Sequence, residues 1–276
     1  MTLMPSFVRV LFVERDGALV KVAGWKRGAR IWQEGEYVVG EGCSAEELRY
    51  WAGLWLSREV IERNAPHLAS AYRSVGLSAS PYDRDLLFVP IFLSRATSWE
   101  INVVKWCRAL FSRANTLDEL LELDFRAVGG SFQLRQLKPA LEEYRRLTHA
   151  LSGDPWIVRQ RLLSIKYVGP KLADAYLLFT GLDASAAPID RHAIRMSRRL
   201  GVAERFRVPM KALCMKYKCD DCPASESCLR ALLSAKFGEA SGWVQTVFYL
   251  QDVMYCSRSA CGVCPLRNSC LEARKV

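Results

Sequence analysis

The sequence lacks any long apolar segment. Its longest apolar run, Leu86 to Leu93, contains Pro90 and is too short to span a lipid bilayer, so we predict no transmembrane helix. The N-terminus lacks the apolar core of a secretory signal peptide, because Arg9 and Glu14 bracket only a few apolar residues. With 276 residues, 50% of them hydrophobic and 25% charged, the composition excludes disordered, collagen-like and coiled-coil proteins. We therefore expect a folded intracellular protein.

Basic side chains exceed acidic ones, and the excess is concentrated in one segment. The chain carries 39 Lys and Arg against 29 Asp and Glu, a formal net charge of +10. Residues 191–236 contain eleven basic and four acidic side chains. A polyanion is the expected partner, and nucleic acid is favoured over a membrane surface because no basic amphipathic anchor is visible. A basic face that only meets solvent is the alternative.

Ten cysteines are present, and eight of them form an internal repeat. Intracellular thiols are normally reduced, so metal ligation is favoured over disulfides, although a hyperthermophilic source would weaken that inference. The spacings Cys-x4-Cys-x2-Cys-x5-Cys occur twice with an offset of 42 residues, and in both copies Pro follows the third cysteine and Leu the fourth. The first quartet is Cys214, Cys219, Cys222 and Cys228, and the second quartet is Cys256, Cys261, Cys264 and Cys270. Identical spacing indicates that both hold the same kind of centre.

The N-terminal residues predict a small antiparallel β-sheet. Asp16-Gly17, between two runs of β-branched and aromatic residues, is typical of a hairpin turn. The predicted strands cover residues 7–13, 18–23, 29–32 and 36–39. After Ser44 the spacing of apolar residues is helical almost to the end. We therefore predict a mainly α protein with a small N-terminal sheet.

Local signals indicate several helix boundaries. Thr97-Ser-Trp-Glu100 fits a capping box, and the helical face that follows puts Cys107 in the core. Asp154-Pro155 predicts another helix start, with an N-cap and a proline at the first helical position. That helix is interrupted at Lys166-Tyr-Val-Gly169, and a new one starts at Pro170, which predicts a helix-hairpin-helix. Further amphipathic helices are predicted over residues 117–123 and 138–151, joined by a loop at 129–131.

Two segments, residues 165–174 and Ala187-Pro-Ile-Asp190-Arg-His192, resemble the helix-hairpin-helix, Gly/Pro-rich loop and Asp superfamily of DNA base-excision glycosylases. The resemblance extends from about Asp83 to Cys270. The 19-residue interval between Lys171 and Asp190 resembles that of bifunctional 8-oxoguanine DNA glycosylases and is close to that of endonuclease III. The resemblance implies a bilobal helical fold in which Lys171 is the nucleophile and Asp190 the catalytic carboxylate.

Independently of the resemblance, lysine and aspartate are residue types that suit the cleavage of an N-glycosidic bond. Breaking an N-glycosidic bond develops oxocarbenium charge on the sugar, which a carboxylate such as Asp190 stabilises. A neutral amine such as Lys171 can form a Schiff base with the sugar carbon, after which elimination cuts the strand on the 3′ side, and neutrality requires a lowered pKa. An ordinary salt bridge is the alternative explanation for either residue alone, but it does not explain the combined pattern.

The resemblance implies that backbone amides of the hairpin hold a DNA phosphate. The expected contacts are at Lys166, Val168 and Gly169, next to the lesion, while the damaged base rotates out of the duplex into a pocket. Tyr167 departs from the family pattern, since it occupies the position of the hairpin's first glycine. A Cβ at that position predicts an altered turn and an altered phosphate geometry.

Two further residues receive roles from the same resemblance. His192 is expected to touch phosphate. Arg95 is expected to fill the gap left by the extruded base, where a planar guanidinium can stack and donate hydrogen bonds to the orphaned partner base. A helix-capping histidine and a solvated arginine are the alternatives.

The second quartet resembles the metal site of endonuclease III-type enzymes, which carry a [4Fe-4S] cluster held by four cysteines near the C-terminus. Its first interval has four residues instead of the usual six, and the later intervals agree. A [4Fe-4S] cluster is favoured over zinc because four thiolates from one compact loop suit a cubane. The first quartet has no counterpart in that family, and a second [4Fe-4S] cluster or a zinc ion is predicted for it. In either case we expect a structural role, which presents nearby Lys and Arg side chains to DNA.

These patterns predict a bifunctional DNA glycosylase with AP-lyase activity, acting in base-excision repair on an oxidised base. 8-Oxoguanine is favoured, because the N-terminal sheet and residues 54–77 resemble the 8-oxoguanine and alkyladenine branch, and alkylation-specific enzymes generally lack Lys171. The second quartet makes oxidised pyrimidines the second choice. A monofunctional glycosylase, in which Asp190 activates water, and a non-catalytic DNA-binding module are the remaining alternatives.

The predicted organisation has three parts. Residues 1–55 form an N-terminal antiparallel β subdomain. Residues 56–84 together with 186–276 form a helical lobe with both cysteine quartets, and residues 85–185 form a helical lobe with the helix-hairpin-helix at 154–181. We expect a monomer that binds double-stranded DNA containing a damaged base and does not bind a membrane. The expected location is the cytoplasm, in association with the nucleoid, and a thermophilic prokaryote is one candidate source.

Overall fold

A four-stranded sheet opens the chain, and helices make up the rest. The computed structural model describes residues 2–273. Within that range the strands are β1 (Phe12–Arg15), β2 (Ala18–Lys21), β3 (Arg30–Glu34) and β4 (Tyr37–Glu41). The α-helices of the same range are α1 (Ala45–Trp51), α2 (Arg58–Asn64), α3 (Pro66–Ala71), α4 (Arg84–Leu93), α5 (Val104–Phe111), α6 (Leu117–Glu122), α7 (Phe132–Leu147), α8 (Pro155–Ser164), α9 (Pro170–Phe179), α10 (Arg191–Arg199), α11 (Lys211–Cys214), α12 (Leu229–Phe237) and α13 (Ser241–Met254). None of these helices is long and apolar enough to cross a membrane. The predicted fold class is confirmed.

The sheet follows chain order, and all three of its pairings are antiparallel. Asp16 and Gly17 join β1 to β2 with φ of 50° and 73°, the left-handed conformation that a two-residue hairpin turn requires. The predicted strand over residues 7–13 is wrong in its first part, because Phe7–Leu11 forms a 3₁₀-helix. The last two residues of that helix are both buried, whereas a strand would turn one of two neighbours away from the core.

The longest apolar run of the sequence lies in the core. It forms most of α4, and every residue from Leu86 to Leu93 is buried. Helices α7 and α9 pack against α4, and the hydroxyls of Tyr144 and Tyr176 lie 2.9 Å apart between them. Cys107 of α5 is completely buried, as predicted. The core thereby fixes α9, which begins at the hairpin.

Two predicted helix starts need correction. The cap before Trp99 is Ser98, not Thr97, and it precedes a turn of π-helix over Trp99–Val103. Thr97 is used differently, because its hydroxyl accepts a hydrogen bond from the Asn102 amide at 2.8 Å. Helix α7 begins at Phe132 instead of residue 138, so Pro139 lies inside it. In both places a neighbouring serine, Ser98 or Ser131, captures the first free amides.

Helices α8 and α9 form the predicted helix-hairpin-helix. Asp154 caps α8 by accepting the Trp156 amide at 2.8 Å, and Pro155 occupies the first helical position. Five residues, 165–169, connect the helices, one more than the predicted 166–169. The Gly169 carbonyl accepts hydrogen bonds from the first backbone amides of α9. The nearby positions Leu162, Leu163 and Leu172 are buried. The hairpin therefore rests on an apolar base with its turn at the surface.

Candidate active site

Lys171 and Asp190 line one cavity of about 680 Å³. Lys171 belongs to the first turn of α9, and Asp190 is the residue before α10. Other lining residues are Phe7, Ser94, Trp99, His192, Gln245 and Tyr249. The structure thus brings the two residues singled out by the sequence to the same cavity.

The Lys171 amine is partly buried and has a polar partner. Its Nζ donates a hydrogen bond to Ser94 Oγ at 3.0 Å. Burial lowers the pKa of Lys171, nearby Asp190 opposes that shift, and the cations Arg191 and Arg95 add to it. No ion pair within residues 2–273 joins Lys171 to Asp190, so the simple salt-bridge alternative does not describe this pair. The lowered pKa favours the neutral amine, the form that acts as a nucleophile.

Asp190 is held by the start of α10. Its Oδ1 accepts hydrogen bonds from the backbone amides of His192 at 2.9 Å and Ala193 at 2.8 Å. Its Oδ2 has a longer contact of 3.4 Å with the Gln245 side chain. Two hydrogen bonds from backbone amides fix the carboxylate in one orientation, and its second oxygen, which has only the longer Gln245 contact, can stabilise charge in the cavity.

Helix α13 brings Gln245 to Asp190 through a close backbone approach. The Gly242 amide donates to the Ala184 carbonyl at 3.0 Å. A Cβ at Gly242 would lie 2.5 Å from that carbonyl oxygen and 2.8 Å from the Ala186 oxygen. Only glycine allows the helix to lie this close to the segment that leads into Asp190.

His192 is buried, and both of its ring nitrogens have partners. Nδ1 lies 2.6 Å from Asp252 Oδ2, and Arg191 Nε lies 3.2 Å from Nε2. The ring also meets Tyr249 edge to face, with centroids 4.9 Å apart. Asp190, not His192, caps α10 with its side chain. The predicted phosphate contact of His192 stays a prediction, and any such contact would have to replace an existing partner of the ring.

Arg95 follows the C-terminus of α4 and folds back on the protein. Its guanidinium carbon lies 3.8 Å from the Phe92 ring centroid, and its Nε donates to the Phe92 carbonyl at 2.9 Å. Its Nη2 is buried without a hydrogen-bond partner in the described part of the chain. Burial lowers the pKa of Arg95. Arg95 is therefore not the freely solvated arginine of the alternative interpretation, and its role in filling the base gap stays a prediction.

The hairpin leaves one of its three candidate amides free. The Lys166 amide donates to the Glu143 carboxylate at 2.7 Å, and the Val168 amide closes the turn onto the Ile165 carbonyl at 3.2 Å. The Gly169 amide meets no acceptor among residues 2–273. Phosphate binding by the hairpin remains a prediction, with Gly169 as its free donor.

Charged side chains surround the first quartet. Asp174 of α9 is completely buried and pairs with Arg159 at 2.7 Å and with Arg230 at 3.0 Å. The same arginines point at sulfur, since Arg159 lies 3.5 Å from Cys214 Sγ and Arg230 lies 3.0 Å from Cys219 Sγ. Arg159 Nη1 is buried without a partner in the described chain. The two guanidinium groups share only one carboxylate, so one positive charge is left over, and one N–H donor has no partner. These surroundings suit a centre of negatively charged thiolates.

An amide contacts the second quartet. Gln251 Nε2 lies 3.0 Å from Cys264 Sγ and 3.7 Å from Cys256 Sγ, while its Oε1 accepts the Tyr72 hydroxyl at 2.6 Å. Burial raises the pKa of the Cys256 thiol, an effect that Gln251 and Arg199 oppose. N–H donors directed at sulfur are the usual surroundings of bound thiolates.

No cysteine of residues 2–273 forms a disulfide. Within residues 2–273 no three His, Cys, Asp or Glu side chains lie close enough together to hold a metal ion as they stand. Burial raises the pKa of the Cys214 and Cys219 thiols, so a metal would have to displace their protons. Four thiols in each loop, with N–H donors already directed at sulfur, fit a metal or cluster that draws the four sulfurs together.

Sequence reasoning missed several polar residues around these sites. Asp174, with Arg159 and Arg230, was missed, although an acidic residue inside the apolar helix α9 was a usable signal. Asp252 was also missed, and it pairs with both His192 and Arg195. Of the tryptophans nearby, Trp99 lines the cavity, whereas Trp243 is completely buried in the core, as is Phe248.

Comparisons with known proteins identify the fold. No protein-family model and no curated protein matches the sequence. Among solved structures, the chain is similar to the Clostridium acetobutylicum 8-oxoguanine glycosylase/lyase in complex with double-stranded DNA containing cytosine opposite 8-oxoguanine, with a TM-score of 0.65 and 17% identity over 88% of this chain and 87% of that one. It is also similar to the 3-methyladenine DNA-glycosylase from Archaeoglobus fulgidus, with a TM-score of 0.63 and 14% identity over 91% and 92%. A trapped endonuclease III–DNA covalent intermediate gives a TM-score of 0.54 and 16% identity over 80% of this chain and 98% of that one. The chain thus has the helix-hairpin-helix DNA glycosylase fold.

Proposed function

We propose that the protein is a bifunctional DNA glycosylase and AP lyase of base-excision repair, which removes an oxidised base from duplex DNA. One observation carries the proposal: a partly buried amine with a lowered pKa and a carboxylate fixed by two backbone amides line the same cavity. A DNA-binding module needs neither group. The fold and the net charge of +10 agree with duplex DNA as the partner.

The proposed reaction uses the two residues in different roles. The neutral Lys171 amine attacks the anomeric carbon of the sugar, the bond from that carbon to the base breaks, and the base leaves with the electron pair and takes up a proton. The Asp190 carboxylate stabilises the positive charge that develops on the sugar. The nitrogen then loses a proton, and the bond from the anomeric carbon to the ring oxygen breaks as that oxygen takes up a proton, which leaves a Schiff base. Loss of a proton from C2′ then breaks the bond from C3′ to its phosphate, which leaves with the electron pair. Ser94 holds the amine until the sugar arrives.

8-Oxoguanine is the favoured substrate. The cavity of about 680 Å³ has room for a purine, and three aromatic residues, Phe7, Trp99 and Tyr249, line it. Phe7 and Trp99 meet edge to face with ring centroids 5.0 Å apart, which leaves a ring face for stacking. An oxidised pyrimidine would fill the same space less completely.

DNA contacts and metal binding complete the proposal. Lys166, Gly169, Arg95 and His192 are proposed to contact the DNA around the cavity. The second quartet is proposed to hold a [4Fe-4S] cluster, and the first quartet a second cluster or a zinc ion. A bound centre would supply cross-links within each loop and would take no part in base removal.

Borohydride trapping tests the proposed chemistry. Wild-type protein should form a covalent complex with a duplex that contains 8-oxoguanine, and Lys171→Gln should abolish it. Lys105→Gln, at an exposed lysine of α5, is the matched control and should trap normally. If Lys171→Gln still forms the covalent complex, Lys171 is not the nucleophile. If the protein releases the base but forms no covalent complex, the monofunctional alternative is favoured. The same trapping experiment on a second duplex, which contains an oxidised pyrimidine, shows which base is the preferred substrate.

Metal analysis tests the two quartets separately. Anaerobically purified protein should contain about eight irons per chain if both quartets hold cubanes. Four irons together with one zinc would assign zinc to one loop. The Cys214→Ser/Cys219→Ser double variant should lose the metal of the first loop only, and Cys261→Ser/Cys264→Ser that of the second.

A further inference from the structure

Tyr167 keeps a backbone conformation that suits glycine. Its φ is +67°, in the left-handed region that a bulky side chain rarely adopts. Its ring is 40% exposed, and its hydroxyl makes no hydrogen bond with residues 2–273. A strained residue with an exposed aromatic ring gains little within the protein, which points to a binding role outside the fold.

Two cations lie beside the Tyr167 ring, and one of them also lies beside a second exposed ring. Lys166 Nζ lies 5.1 Å from the ring centroid, and the Arg95 guanidinium carbon lies 5.7 Å from it. The same guanidinium lies 5.9 Å from the centroid of Phe132, whose side chain is 42% exposed. We call Tyr167, Arg95 and Phe132 the aromatic platform. Its positive charge disfavours an apolar partner and suits a polyanion with aromatic rings.

The aromatic platform borders the catalytic amine. Arg95 directly follows Ser94, which accepts the hydrogen bond of Lys171. The free amide of Gly169 is two residues from Tyr167 on the other side. Two members of the platform, Arg95 and Tyr167, thus lie within two residues of the groups proposed to contact the DNA.

We propose that the aromatic platform stacks on an exposed nucleobase at the lesion, so that Tyr167 is a DNA-binding residue of this protein. The inference rests on the proposed function and adds a contact to it. Aromatic stacking tolerates any base, because every base presents a π face, and the two cations hold the Tyr167 ring in place. The cost of the left-handed backbone is then offset when DNA binds.

Binding to an unreactive duplex tests the platform. The duplex contains a tetrahydrofuran abasic analogue, which cannot form a Schiff base, and 2-aminopurine opposite it. Tyr167→Gly should weaken Kd roughly tenfold and relieve the quenching of 2-aminopurine, whereas Tyr167→Phe should resemble wild type in both. Because glycine adopts the required φ without strain, Tm of Tyr167→Gly should not fall. Tyr167→Asn, which also tolerates this conformation, serves as the second ringless variant.

Two controls separate stacking from charge. Tyr37→Ala removes a tyrosine side chain that is 77% exposed in β4, and it should leave Kd unchanged. Lys166→Gln should lower the slope of log Kd against log salt by about one, whereas Tyr167→Gly should leave that slope unaltered.

Two results would overturn the inference. One is a wild-type Kd for both ringless variants, which together with a lowered Tm would assign the ring to packing. The other is a weakened Kd with a reduced salt slope. Trapping of the wild-type protein on 8-oxoguanine is measured in parallel. If trapping succeeds while the ringless variants bind normally, only the platform fails; if trapping fails, the proposed function fails.

Discussion

The two cysteine loops share every spacing, yet they connect to different halves of the candidate site. The first quartet contacts Arg159 and Arg230, whose common partner Asp174 lies on α9 three residues after Lys171. The second quartet contacts Gln251 on α13, and the next residue, Asp252, pairs with His192 on the helix that Asp190 caps. We call these the Lys171 side and the Asp190 side. Identical loops thus support the nucleophile and the carboxylate separately.

The two sides also differ in charge. On the Lys171 side two arginines share one fully buried carboxylate, and Asp183 adds only a distant contact at 4.0 Å from Arg230. A thiolate centre in the first loop would balance the remaining positive charge. On the Asp190 side the donors to sulfur are the neutral Gln251 amide and one cation, Arg199, which is itself paired with Glu272. The two loops have the same cysteine spacing, but the helices around each loop determine which charged side chains contact its sulfur atoms.

Removing the shared carboxylate should have the largest effect. Asp174→Asn leaves Arg159 and Arg230 buried without a counter-charge, and we expect a loss of about 3–5 kcal/mol in the free energy of unfolding. Asp252→Asn is the matched change on the Asp190 side. It should cost about 1–3 kcal/mol, because the Arg195 side chain is 45% exposed and water can replace the lost contact. Denaturant unfolding of both variants measures the difference, and equal losses would contradict the charge asymmetry.

Gly242→Ala should disrupt the Asp190 side, because the added methyl group has no room. The new Cβ would meet two backbone oxygens and Leu178, so α13 has to move away from the segment before Asp190. We expect a loss of about 1–3 kcal/mol. Trapping should slow as Gln245 withdraws from Asp190. Gly130→Ala, at a glycine with open space around it, is the control and should leave both stability and trapping unchanged.

Gln251→Leu tests the neutral donor of the second loop. The variant removes the N–H directed at Cys264 and leaves the buried Tyr72 hydroxyl without its acceptor, at an expected cost of about 1–3 kcal/mol. Adding Tyr72→Phe removes the stranded hydroxyl and should recover part of that loss. Iron content of the second loop should fall while that of the first stays constant. Parallel loss from both loops would show that they do not bind metal independently.

The smallest expected effect is a shift in the pH dependence of the trapping rate. The folded state has a lowered Lys171 pKa, so the neutral fraction, and with it the trapping rate, should rise with pH and level off below the ordinary value of 10.5. Arg191→Gln removes one nearby cation and should shift this profile to higher pH, with less than about a tenfold change in rate at neutral pH. Arg198→Gln, further along α10, should leave the profile in place. A shift to lower pH for Arg191→Gln would contradict the electrostatic account.

The same lysine makes stability depend on pH. Its pKa is lower in the folded state than in the unfolded chain, so the unfolded chain binds more protons between the lowered value and 10.5. The free energy of unfolding contributed by Lys171 should therefore rise with pH across that window. Lys171→Met should remove this contribution, which denaturant unfolding at a series of pH values detects.

Local features were predictable from the sequence, and long-range partners were not. The Asp16-Gly17 turn and the helix-hairpin-helix depend on neighbouring residues, and both are confirmed, although the hairpin connection covers residues 165–169 instead of 166–169. The 3₁₀-helix at 7–11 was missed because its burial is set by packing against distant elements, not by local propensity. Asp174 and Arg230 are 56 residues apart, and His192 and Asp252 are 60 apart, so no local pattern joins them. The sequence predicted which residues enter the cavity, but not what holds them there.

Helix α4 has a consequence for heat tolerance. Its apolar run is buried throughout, and the residue that ends it, Ser94, accepts the hydrogen bond of the Lys171 amine. The acceptor for the reactive amine is thus attached directly to a completely buried part of the core. The trapping rate should therefore increase with temperature up to Tm, because the hydrogen bond between Lys171 and Ser94 should persist until the core unfolds.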